Sequence, residues 1–71
     1  MLELSQVTRT IDSTSYIATN TSEDVSIVVK YDGVVVVNIF NNERNIHTVF
    51  SDFDEAKRWV ETQVCMAVSF S

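Results

Sequence analysis

The one glycine of the chain, Gly33, follows Asp32 between two runs of mostly β-branched residues, 25–31 and 34–40. Asp-Gly between apolar strands is a favoured two-residue hairpin turn of type I′, in which both central residues need positive φ. Proline is absent, so nothing else punctuates the backbone as strongly. A two-residue turn dictates the hairpin register, and the register sorts each side chain to one face of the sheet or the other. Under it Tyr31 opposes Val34, Val29 opposes Val36, Ile27 opposes Asn38 and Val25 opposes Phe40, forming one face. The second face carries Lys30 with Val35, Val28 with Val37 and Ser26 with Ile39.

The strand pattern extends on both sides. Thr, Ser, Val, Ile and Tyr dominate the first two-thirds of the chain, and these fit a pleated, half-buried surface. Residues 2–10 and 15–20 read as two strands joined by the turn-like Ile11-Asp12-Ser13-Thr14. Leu2 and Leu4 share one phase while Val7 and Ile11 fall on the other, which calls for a bulge near Gln6. The polar stretch 41–45 leads to a fifth strand over residues 46–50. From Asp52 the apolar period lengthens from two to about 3.6. Phe53, Ala56, Val60, Val64 and Ala67 form a stripe, with Asp54, Glu55, Arg58, Glu61, Thr62 and Cys65 on the opposite side. This predicts an amphipathic helix of about four turns. Asp52 is placed to cap it, with Glu55 closing a capping box; Ser51 with Asp54 is the alternative in the neighbouring register. The expected architecture is α+β, one domain over residues 1–71. An antiparallel sheet of four or five strands carries one C-terminal α-helix on the face of Val25, Ile27, Val29, Val36 and Phe40.

Composition removes several chemistries. A chain of 71 residues buries only roughly 60% of its unfolded surface, and small domains of this kind often add a disulfide, a metal or a partner subunit. Cys65 and His47 are the only cysteine and histidine, which leaves no internal disulfide and no usual zinc set. Nothing in the pattern brings these two together as a nucleophile and base. One glycine cannot build a phosphate-binding loop. The paired acids at Asp52, Asp54 and Glu55 are explained as helix-start residues rather than as an acid–base pair. The expectation is therefore a protein that is not an enzyme and uses no cofactor. The N-terminus lacks the basic-then-apolar order of a signal peptide, and a lone thiol suits a reducing compartment, so a cytoplasmic location is expected. Ten Asp and Glu against five Lys and Arg argue against direct contact with nucleic acid or with an anionic membrane. A basic protein partner suits that balance.

Three surfaces are candidates for such a partner. The acidic side of the helix, Asp52, Asp54, Glu55 and Glu61, can meet Arg and Lys. The helix shoulder offers Trp59 and Met66, Trp being frequent among interface hot spots. The second sheet face, with Val28, Val35, Val37 and Ile39 and with Val49 as a further candidate, is too apolar for an ordinary solvated face, and self-association there would give a homodimer.

The segment Phe50-Ser51-Asp52-Phe53-Asp54-Glu55-Ala56-Lys57-Arg58-Trp59-Val60, preceded by a strand–turn–strand with Asp32-Gly33, resembles the strand-to-helix junction of very small phage and mobile-element proteins. It is similar in pattern to some anti-CRISPR proteins of type I systems, over about the last 45 residues. The resemblance implies a compact sheet-plus-helix protein in the host cytoplasm. Such a protein binds a Cas subunit or another host defence protein and occludes a nucleic-acid-handling surface. Those inhibitors share no site motif, so no residue role comes with the resemblance. The alternative expectation is a small self-associating assembly module.

Overall fold

A computed structural model describes residues 2–64 of the chain. Five strands precede one helix: β1 (Leu4–Arg9), β2 (Ser13–Ala18), β3 (Asp24–Lys30), β4 (Val35–Phe40), β5 (Asn45–Phe50) and α1 (Phe53–Gln63). The strands form one sheet in the order β1-β2-β3-β4-β5, each antiparallel to its neighbour. This is the expected α+β architecture. The β1–β2 register shifts between Gln6 and Thr8, so the bulge falls where the change of apolar phase placed it.

The central hairpin is closed differently from the type I′ expectation. The Gly33 N–H donates to the Lys30 carbonyl at 3.0 Å, and the Lys30 N–H donates to the Val34 carbonyl at 2.8 Å. Gly33 has φ of 96°, and no other described residue has positive φ. Asp32 is therefore not in the left-handed region that a type I′ turn demands of it. The connection is a three-residue loop, Tyr31-Asp32-Gly33, in which a tight turn is followed by one left-handed glycine that bulges out of the ladder. Asp32 Oδ1 accepts from the Val34 N–H at 3.2 Å and braces the loop.

One extra loop residue moves β4 by one position against β3. Val25 pairs with Ile39, Ile27 with Val37, Val28 with Val36 and Val29 with Val35. A slip of one residue exchanges the two faces of a strand. Val35, Val37 and Ile39 are consequently in the core at 2%, 0% and 0% exposure. They do not lie on an outer self-association face, and the expectation that grouped them with Val28 there is corrected. Val36 and Phe40, expected under the helix, point to the opposite side. The physical reason is legible in β4 itself. The observed phase buries two valines and an isoleucine, whereas the other would have buried the amide of Asn38 without a partner, a cost of about 1–3 kcal/mol.

The helix covers the sheet face formed by Val25, Ile27, Val35, Val37 and Ile39. Ala56, Val60 and Val64 are buried with them, and Leu2 closes the cluster from the N-terminal side. Ile27, Ile39, Val37 and Val60 are the largest fully buried side chains, each contributing roughly 1.5–3 kcal/mol. The Asp52 carboxylate caps the helix by accepting from the Asp54 N–H at 3.2 Å. The bond goes two residues along, not to the Glu55 N–H of a capping box. At the other end the backbone turns extended at Val64, making about three turns rather than four. Cys65, Met66 and Ala67 lie outside the described residues. Two side chains fasten this end of the helix. Arg44 Nη2 donates to the Gln63 carbonyl and to Glu23 Oε2, a cation placed where the helix dipole favours one. Glu61 Oε2 accepts from the Leu2 N–H at 2.7 Å.

Candidate protein-binding surface

With the helix on one face, the other face of the sheet has no covering element among the described residues. The N-terminal strands do not fold over it; they extend the sheet through the β2–β3 pairing. The register defines the face row by row. Ser15, Val28, Val36 and Val49 stand opposite one another across β2 to β5. Strands lie about 4.8 Å apart, so Val28, Val36 and Val49 make a continuous apolar strip across three strands. Ile17 flanks it in the next row with Ser26, Asn38 and His47, and Phe40 follows beside Asp24 and Asn45. Ile17, Phe40 and Val49 are 42%, 52% and 55% exposed. His47 Nδ1 and Asn38 Oδ1 are 2.7 Å apart, which settles the one amide of β4 at the surface. Among the strand residues of this face only Asp24 and Lys30 carry charge.

The sequence-predicted sites are distributed unevenly. Of the sheet-face group, Val28 and Val49 are on the open face. Val36, Phe40 and Ile17 also belong to it. The signal that could have found them was Asn38, which shares their phase. The acidic helix side is broken up. Asp52 is engaged as the cap, and Glu61 is half-buried against the Leu2 N–H. Asp54 and Glu55 are exposed, but Asp54 and Glu61 line a shallow groove together with Lys57 and Arg58. Lys57 Nζ also sits 5.4 Å above the Phe53 ring. Trp59 is half-buried and packs against the core. Its ring meets Phe50 at 5.5 Å between centroids, tilted by 52°. Met66, its expected companion, lies outside the described residues.

A third cluster stands where the β1–β2 and β3–β4 turns meet. The Tyr31 hydroxyl lies 3.2 Å from Thr14 Oγ1 and 3.3 Å from Arg9 Nε. The Thr14 hydroxyl and then the Arg9 guanidinium hold the phenol below its ordinary pKa, and the bond to Tyr31 raises that of Arg9. This cluster fastens two turns together. Among the described residues no three His, Cys, Asp or Glu side chains are grouped to hold a metal ion. No described helix is long and apolar enough to cross a membrane. No known family model, curated protein or solved structure matches the chain.

Proposed function

We propose that this chain is a non-catalytic binding protein that acts by occlusion, seating the open face of its sheet on a partner protein. The observation that carries the reading is the strip of Val28, Val36 and Val49, flanked by Ile17 and Phe40 and left uncovered by the described residues. An apolar strip rimmed by Ser, Thr and Asn has the make-up of an interface centre within a polar rim. The net charge of −5 sits almost entirely off this face. It steers the molecule toward a partner whose surrounding surface is basic, as that of a nucleic-acid-handling protein is, and so acts on association rate more than on affinity. A host defence protein of that kind, blocked by a phage-type inhibitor, is the partner class that the sequence pattern suggests.

The test compares three proteins against one purified nucleic-acid-handling partner captured from host lysate. Ile17→Lys with Val36→Lys places two charges in the open face and is expected to weaken binding by at least about tenfold through faster dissociation. Reversal of Asp54, Glu55 and Glu61 to Lys is expected to slow association and flatten its salt dependence with little change in dissociation. Unchanged binding by the Ile17/Val36 variant would overturn the open face as the contact.

A further inference from the structure

We propose that the chain also forms a two-fold dimer by pairing the free edge of β5 with β5 of a second copy. The hydrogen-bond parity of the sheet fixes which backbone groups of β5 are left over. The Lys30–Val34 bond makes that pair a bonded one, and bonded and non-bonded pairs alternate along an antiparallel ladder. The backbone groups of Val36, Asn38 and Phe40 therefore face β3, and those of Val35, Val37 and Ile39 face β5. The Asn41 N–H donating to the Arg44 carbonyl at 2.9 Å yields the same parity independently from the other side of β4. Phe50, Thr48 and Ile46, the partners of those three residues, spend their backbone groups on β4. The N–H and C=O groups of Asn45, His47 and Val49 point outward. No hydrogen bond to them is formed among the described residues.

Free edges are normally blunted by charge, proline or a bulge. The opposite edge of this sheet is: β1 carries the bulge between Gln6 and Thr8, and Arg9 ends it. β5 carries none of these. Its register against β4 is unbroken from Asn45 to Phe50, and no charged residue occurs from Asn45 to Ser51.

The occupant that fits is a second copy. Antiparallel pairing centred on His47 sets Asn45 against Val49 of the other copy, His47 against His47, and Val49 against Asn45. All six outward groups are then paired by one isologous contact. Two molecules of charge −5 repel, and β5 itself adds no charge to that repulsion. The layers also match. Helix α1 makes its closest backbone approaches to β5 and β4, while its Phe53 reaches Tyr16 of β2. The two-fold places both helices on the same side of the joined sheet. The flank of α1 on the β5 side carries Trp59, with Glu55 and Arg58 beside it above Phe50. The two open faces come to the same side of one ten-stranded sheet, so the dimer leaves the proposed partner surface accessible and stands or falls independently of it.

Sedimentation equilibrium tests this. Wild-type protein is expected at twice its 8.1 kDa chain mass. Val49→Pro deletes an outward N–H that β4 does not use, a place where an edge strand tolerates proline, and is expected to raise the dimer dissociation constant at least about tenfold. Val36→Lys, in the open face of β4, is expected to leave the dimer intact. Amide exchange of Asn45, His47 and Val49 is expected to slow as concentration rises, whether or not Val49→Pro folds. His47→Cys in a Cys65→Ser background is expected to cross-link, since a bonded antiparallel pair has its Cα atoms about 5.5 Å apart, within disulfide reach. A wild type that stays monomeric at millimolar concentration overturns the proposal. So do free exchange of the three amides at every concentration, or a dimer that survives Val49→Pro and is lost in Val36→Lys.

Discussion

Tyr31 shows how single side chains tie this small sheet together. Its N–H donates to the Asp12 carbonyl at 3.0 Å, while its hydroxyl reaches Thr14 and Arg9. A hydroxyl donor and a cation both favour the phenolate, so the folded pKa lies below the ordinary 10.0. The unfolded chain keeps the ordinary value. The stability that the phenolate contributes is thus complete above that pH and is lost as pH falls through the lowered folded value. Below the folded value the phenol is protonated in both states and the contribution vanishes. An ultraviolet titration should find one of the two tyrosines ionising early. Thr14→Val should move that transition upward, and Arg9→Ala should do so by less. An unmoved transition in both variants would remove the hydroxyl bonds as its cause.

At the scale of the element, β4 carries the decisive information. Val35, Val37 and Ile39 face the helix, while Val36, Asn38 and Phe40 face outward. Two truncations on opposite faces of this strand should therefore differ sharply. Ile39→Ala is expected to cost about 2–5 kcal/mol, the range for emptying a packed site. Val36→Ala, on the half-buried open face, is expected to cost less than about 1.5 kcal/mol. Urea denaturation of both variants measures the difference. Equal costs would mean that β4 takes the register of a two-residue turn. The helix was more legible than the strand. Its stripe of Phe53, Ala56, Val60 and Val64 does not depend on any partner for its phase, and Asp52 marks its start by its own bond. Its early end was not legible, because the apolar stripe continues to Ala67 in the sequence.

At the scale of the whole molecule, one helix is the only element over one face of five strands among the described residues. Val35, Val37 and Ile39 would otherwise be open on a sheet that is already apolar on its other side. A chain ending at Ser51, without α1, is expected to lose its cooperative thermal transition and to aggregate, since a sheet needs a second layer to bury its apolar face. A soluble fragment with a cooperative transition would show that the sheet is stable without that layer. The same economy explains the candidate binding surface. A layer of sheet and a layer of helix leave one side of the sheet over among the described residues, and that side is charged only at Asp24 and Lys30 and is not wholly polar.

The alternation of apolar residues, the Asp32-Gly33 loop and the change of period at Asp52 determined by themselves that this chain is a sheet meander followed by one helix. Those signals are local, and each strand or helix expresses them without knowing its neighbours. Which valines are core and which are surface was decided only by the tertiary structure. That choice rests on a single loop residue. The three-residue connection with left-handed Gly33, in place of the two-residue one, shifts β4 by one position and turns Val35, Val37 and Ile39 inward. Both registers satisfy the backbone. The difference lies in packing against α1, which buries three aliphatic side chains in one case and an unpaired Asn38 amide in the other. It is a comparison between elements that no window of sequence contains.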